Sequence, residues 1–355
     1  MVNSNRQDIK YMSRCLELAK LGRGTAAPNP MVGAVIVHDG RIIGEGYHHR
    51  CGEAHAEVNA VNAVSDQSLL KESTIYVNLE PCAHVGRTPA CSTMIIQNKI
   101  PKVVIGCVDS FAKVSGKGIE MLKKAGVEVV VGVLEQESLD LNRRFFTFYQ
   151  KKRPYIILKW AETQDGFIDY DRTSSNKHKA AWITNDLSRA LVHKWRTEES
   201  AFWVGTQTVI KDNPQLNVRA WAGRSPLRIT FDRKGVLDED SHFLDDSQAT
   251  LIFTEKKTKK NYRQTEFVEI DSRKDINLQI LEELYHREVQ SVVVEGGRQL
   301  LDSLISSNLW DEARVFVGDK YFKSGVKAPI FKAEPQKKID LAETSLTFYR
   351  NPNAI

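Results

Sequence analysis

Glu53–Val64 reads EAHAEVNAVNAV, and Thr74–Cys91 reads TIYVNLEPCAHVGRTPAC. Alanine and valine recur in the first stretch at helical spacing, so it reads as a helix. The second opens as a β-branched, aromatic strand and runs straight into Pro81-Cys82. Working outward, PNPMVGAVIVHDGRIIGEGY (Pro28–Tyr47) reads as two strands joined at Asp39-Gly40, a favoured hairpin pair. Ile9, Met12, Leu16 and Ala19 recur as on a helix that Gly22 and Gly24 then stop. Downstream come a strand (KVVIGCVD), a helix (GIEMLKKAG), a strand (VEVVVGV) and a helix near ESLDLNRRFFTFYQ. Strands alternating with helices predict an α/β sandwich over residues 1–150.

The polar stretch Lys151–Pro154 marks a boundary, and a second α/β pattern fills residues 151–355. Strands are expected at PYIILKWA, SAFWVG, PLRITFD, ATLIF, FVEI, SVVVEGG and ARVFVG, with SLTFYR as a last edge strand. Helices are expected at NDLSRALVHKWR, INLQILEELYHRE and RQLLDSLISSN. The 355 residues suit two domains. Basic residues number 17 against 15 acidic through Gln150 and 33 against 30 beyond it, so no basic block marks a nucleic-acid surface. No apolar run approaches the ~18 residues of a membrane helix. MVNSNRQDIK lacks the apolar stretch of a signal peptide. Five cysteines make no disulfide framework, and a cytoplasmic protein with reduced thiols is expected. Cys15, Cys51 and Cys107 read as packed core residues.

His55-Ala56-Glu57, Cys82 and Cys91 form the strongest chemical signal. One histidine and two cysteines supply three ligands for Zn²⁺ with a fourth position open, the pattern of a catalytic site. His55 is placed at a helix start and Cys82 at a strand-to-helix turn, where positive potential favours the thiolate. Such a metal lowers the pKa of water from ~15.7 towards ~7. Glu57, beside the metal but not bound to it, is suited to carry a proton to a leaving amine. H-x-E followed by P-C-x-x-C is the pattern of zinc nucleobase deaminases; here eight residues, not two, separate Cys82 from Cys91. The insert holds His84 and Arg87, cations suited to a substrate phosphate unless they sit in a solvated loop.

PNPMVGAVIV, GEGYHHRCGEAHAEVNA and LEPCAHVGRTPAC together resemble the deaminase domain of the RibD family, the bifunctional riboflavin-biosynthesis deaminase/reductases. The resemblance implies a cytidine-deaminase-like αβα sandwich. It implies zinc on His55, Cys82 and Cys91, Glu57 as proton donor, Asn29 holding the pyrimidine and Asp109 near the same pocket.

No G-x-G-x-x-G or Walker motif occurs, so a Rossmann domain is not supported. Val292–Gly297 (VVVEGG) does end a strand in two glycines before a helix, which lets a phosphate approach the backbone. LKWAETQDG, AAWIT, HKWR, WVGTQTVIKDNPQLNVR and PLRITFD stand in the order of the same family's reductase domain, which is dihydrofolate-reductase-like. By that resemblance Ala161, Trp182, Thr208, Asp212 and Gly297 contact NADPH, and Arg196, Leu216, Arg219 and Glu295 contact the sugar-phosphate substrate. The chain departs from the family at four places: a longer FIDYDRTSSNKHKA segment, Ala180 for serine, Asn213 for an acid, and Arg233 for a small residue. These are lineage variation or a weakened reductase. The resemblance implies a phosphorylated pyrimidine as substrate, with no nucleic-acid or membrane partner. Such folds commonly bury a self-interface, so a homo-oligomer is expected. The rivals are a deaminase acting on tRNA or another nucleic acid with an accessory C-terminal module, and a structural zinc protein.

Overall fold

A computed structural model of the chain describes residues 6–83, 90–109, 116–172, 181–256 and 261–354. The chain divides into two compact units, Met1–Lys151 and Lys152–Ile355.

The first unit holds strands β1 (Gly33–His38), β2 (Arg41–Tyr47), β3 (Thr74–Leu79), β4 (Lys102–Cys107) and β5 (Glu128–Val131). They form one sheet in the order β2-β1-β3-β4-β5. β1 and β2 make the expected hairpin, with φ of 47° at Asp39 and 70° at Gly40. The helices are α1 (Arg6–Lys20), α2 (Ala56–Asn62), α3 (Cys91–Gln97), α4 (Lys117–Lys124), α5 (Glu135–Leu141) and α6 (Arg143–Lys151). Period-two alternation sends the strands' residues to opposite faces. Val35, Val37, Tyr76 and Val104 pack under Tyr11, Met12, Cys15 and Leu18 of α1. Ala34, Ile36, Ile75, Val77, Val103 and Ile105 pack against Ala56, Ala60 and Val61 of α2, Ile95 of α3 and Leu122 of α4. The unit is the αβα sandwich that the sequence predicts.

Two local expectations change. The last helical stretch is two helices, α5 and α6, parted at Asn142. That side chain leaves the helical path to accept from Met31 N–H at 2.8 Å and donate to Met31 C=O at 2.9 Å. Cys51 is exposed in the turn after β2 rather than packed, while Cys15 and Cys107 are buried.

The second unit holds β6 (Tyr155–Glu162), β7 (Phe167–Asp169), α7 (Asp186–Glu198), β8 (Ala201–Gly205), α8 (Thr206–Asp212), β9 (Leu227–Phe231), β10 (Thr250–Thr254) and β11 (Thr265–Glu269). There follow α9 (Ile276–His286), β12 (Ser291–Glu295), α10 (Arg298–Ser306), β13 (Glu312–Gly318), β14 (Val326–Lys327), β15 (Pro335–Leu341) and β16 (Thr344–Arg350). Nine strands run in the order β11-β10-β9-β8-β12-β6-β13-β16-β15. The seven from β11 to β13 are parallel, and β16 and β15 close the sheet as an antiparallel pair. Ile156, Leu158, Trp203 and Val294 face α9 and α10; Tyr155, Ile157, Phe202 and Val293 face α7 and α8. Helices on both faces explain why these strands read as continuous apolar runs. SLTFYR is not the edge strand expected. β15 lies outside it, and its exposed Lys337 and Lys338 suit an unpaired edge. Among the described residues no helix is long and apolar enough to cross a membrane.

Candidate functional sites

Three elements of the first unit converge on its candidate metal centre. His55 caps α2, Cys82 follows β3, and Cys91 opens α3. Cys82 lies between β3 and α3, as expected, and its Sγ accepts the backbone N–H of Cys91, the first residue of α3, at 3.2 Å. The helix N-terminus still faces the thiolate, from a helix that begins nine residues later in sequence. His55 Nδ1 lies 3.7 Å from Cys82 Sγ and 3.3 Å from Cys91 Sγ. Tetrahedral zinc with bonds of ~2.3 Å to sulfur and ~2.0 Å to nitrogen spaces those donors by about 3.5 Å. All three ligand atoms lie within 4.8 Å of one another, so the donor set fits zinc through Nδ1 of His55.

The electrostatics match. A hydrogen bond from Cys91 and a second from His55 pull the Cys82 thiol down, and the same contact pushes Cys91 up. The Cys82 thiolate raises His55. Glu57 is fully buried, which raises its pKa, and it exchanges a hydrogen bond with Cys91.

Two further residues shape this site without having been expected. Asn29 Nδ2 lies 3.0 Å from Nε2 of buried His48, whose Nδ1 lies 3.1 Å from Ala54 C=O. Nδ1–H therefore donates to the carbonyl and Nε2 accepts from Asn29. Burial lowers the His48 pKa, in the direction of the neutral ring this pairing uses. The second is Glu80, buried just before Pro81-Cys82. Its carboxylate accepts from the N–H groups of Asp109, Gly116, Gly118 and Ile119 at 2.9–3.3 Å. It ties the end of β4, where Asp109 is buried, and the first turn of α4 to the cysteine segment. A buried carboxylate in the same quoted motif was the available signal. His84 and Arg87 lie outside the described residues, as does Ala180.

In the second unit one cavity of about 1170 Å³ is lined by all nine residues expected there: Ala161, Trp182, Thr208, Asp212, Gly297, Arg196, Leu216, Arg219 and Glu295. Glu295 ends β12 at the cavity wall. Burial opposes its charge, but Lys159 at 3.4 Å and Arg196 at 3.6 Å outweigh it and hold its pKa low. Glu295 Oε1 and Arg196 Nε are buried without a hydrogen-bond partner among the described residues, as in a site shaped for a ligand. Gly296 and Gly297 turn at φ 65° and 70°. A Cβ on Gly297 would sit 3.2 Å from Thr208 Oγ1, so glycine keeps this turn open. His193 is buried beside the arginines; burial, Arg196 and Arg219 push it down to about 4, and its Nδ1 accepts from Arg219 N–H.

A second cavity of about 700 Å³ shares Gln207, Thr208, Gly297 and Gln299 with the first and is lined by Arg233, Lys234 and Lys274. The two cavities adjoin at these shared residues and both carry cations on their walls, which suits a phosphate-bearing cofactor. Lys159, a lysine inside an apolar strand, was the sign that sequence reading passed over. Asn213 takes the left-handed conformation at φ 39°, and its Oδ1 accepts from His242 N–H at 2.8 Å. An amide serves that turn as well as an acid would.

Residues 5–107 match the cytidine and deoxycytidylate deaminase zinc-binding region, and residues 154–350 match the RibD C-terminal domain. The chain is 41% identical to riboflavin biosynthesis protein RibD of Aquifex aeolicus, across 90% of this chain and 89% of that one. It is 39% identical to the protein of the same name from Actinobacillus pleuropneumoniae, across 88% and 84%. The crystal structure of a diaminohydroxyphosphoribosylaminopyrimidine deaminase/5-amino-6-(5-phosphoribosylamino)uracil reductase from Thermotoga maritima superimposes with a TM-score of 0.88 at 36% identity, covering 97% and 98% of the two chains. Acinetobacter baumannii RibD gives 0.85 at 31%, covering 97% and 99%. These matches favour the biosynthetic reading over the tRNA deaminase and the structural zinc protein. The chain belongs to the RibD family, and it is a two-part enzyme of riboflavin biosynthesis, a deaminase unit followed by a reductase unit.

Proposed function

We propose that the first unit hydrolyses the 2-amino group from 2,5-diamino-6-(5-phosphoribosylamino)pyrimidin-4-one and the second reduces the product's ribosyl group to ribityl with NADPH. The observation that carries this is the meeting of His55, Cys82 and Cys91 at tetrahedral spacing beside buried Glu57. Bound there, zinc supplies a Lewis acid that makes water nucleophilic near neutral pH. Glu57 takes the proton from the attacking water and returns it to the departing ammonia. Asn29, held by His48, orients the pyrimidine, with Asp109 at the edge of the same pocket. His84 and Arg87 are assigned to the substrate phosphate.

In the second unit NADPH supplies the hydride. Ala161, Trp182, Thr208, Asp212 and Gly297 position the cofactor. Arg196 and Arg219 grip the sugar phosphate, Leu216 packs on it, and Glu295 accepts from its hydroxyls. The division of labour follows the boundary at residues 150–151. A cytoplasmic homo-oligomer without nucleic-acid or membrane partners completes the proposal.

The test mixes purified protein, the diaminopyrimidinone phosphate and NADPH. Ammonia release and NADPH oxidation are expected in succession, and a zinc chelator is expected to stop both. Supplying the deaminated intermediate is expected to restore oxidation. Ammonia release at full rate in metal-free protein would contradict the assignment.

A further inference from the structure

Arg172 lies in the segment after Gly166 that exceeds the common family spacing, and its guanidinium reaches the wall of the larger cavity. Its Nη2 donates to Asp212 Oδ1 at 2.6 Å, its Nε to Asp169 Oδ2 at 2.9 Å and its Nη1 to Lys211 C=O at 3.3 Å. The side chain is 10% exposed, and the guanidinium carbon lies 5.7 Å from the Tyr170 ring centroid. These bonds tie the last turn of α8 to β7. Two carboxylates around one guanidinium leave no positive excess for a phosphate. Arg172 is therefore committed to Asp212 and Asp169 rather than to an anionic ligand.

We propose that Arg172 is a positioning residue for the reductase: it fixes the Asp212 carboxylate on the cavity wall as an anion, so that Asp212 meets the bound ligand as a hydrogen-bond acceptor and not as a proton donor. The proposal rests on the reductase reading above. The charged groups facing Asp212 among the described residues are Arg172, Asp169 of β7 and Lys211 of α8 itself. Burial pushes the Asp212 carboxyl above the usual range, Asp169 pushes the same way, and Arg172 is the main counterweight, with Lys211 adding a smaller one. Without Arg172 the carboxyl holds its proton to higher pH.

The test follows reduction of the deaminated intermediate by NADPH across pH in wild type, Arg172→Ala, Arg172→Lys and Asp212→Asn. In Arg172→Ala the acid limb of kcat/KM is expected to move up by about one pH unit or more, the scale of a neighbouring charge. Below that limb the rate is expected to fall about tenfold, and at high pH to return towards wild type. Arg172→Lys restores the charge and is expected to move the limb back, while Asp212→Asn is expected to lack it. A wild-type profile in Arg172→Ala overturns the proposal, and so does a uniform loss at every pH, which a merely structural role would give. If wild type itself oxidises no NADPH, the reductase reading fails and takes this proposal with it.

Discussion

The proposed zinc site of the first unit reduces to three atoms. His55 Nδ1 stands 3.3 Å and 3.7 Å from the two sulfurs, and among the described residues no fourth cysteine, histidine or carboxylate joins the cluster. Replacing either thiolate by a hydroxyl removes a soft anionic ligand that nothing nearby replaces. Cys82→Ser and Cys91→Ser are each expected to lose zinc and deamination together, checked by metal analysis of purified protein beside ammonia release. Full zinc occupancy in both variants would show that the ligands are wrongly chosen. At this scale the sequence was highly legible, because metal chemistry narrows the residue types to a few and HAE, PC and Cys91 fall in order. His48 and Lys159 were not legible in the same way. One is a histidine next to another in GYHHRC, the other a lysine in a strand. Only their neighbours, Asn29 for the first and Glu295 for the second, give them a purpose.

The end of β4 and the start of α4 are held to the cysteine segment by one carboxylate. Glu80 accepts four backbone N–H groups from β4's end and α4's start. Glu80→Ala would leave several of those donors buried without an acceptor, at about 1–3 kcal/mol for each that water cannot reach. The expected result is a lower denaturant midpoint for the first unit and weaker deamination, with Glu80→Gln falling between variant and wild type. A midpoint unchanged from wild type would show that the end of β4 and the start of α4 are held elsewhere. The strands and long helices were readable from periodicity because burial imposes it on them. The break at Asn142, the contact of the Cys82 sulfur with the start of α3 and the edge position of β15 were not. Each depends on a tertiary partner that periodicity does not name: Met31 for Asn142, the N–H of Cys91 for Cys82, and β16 for β15.

On the scale of the whole molecule, two chemistries occupy two units with separate binding residues. Glu57 stands near the metal ligands of the first unit, while Arg196 and Glu295 line the cavity of the second. The independence of the two steps is therefore the central claim, and one paired experiment tests it. Glu57→Gln and Arg196→Ala are each assayed for zinc content, ammonia release from the diaminopyrimidinone phosphate, and NADPH oxidation with the deaminated intermediate supplied. Glu57→Gln is expected to keep zinc, lose deamination by ~10²–10⁴, the scale of a general acid–base group, and oxidise NADPH at a near-normal rate. Arg196→Ala is expected to release ammonia normally and to lose ~1.5–3 kcal/mol in the second step, roughly ten- to a hundredfold in kcat/KM. Deamination at wild-type rate in Glu57→Gln, or loss of both activities in either variant, would contradict the account.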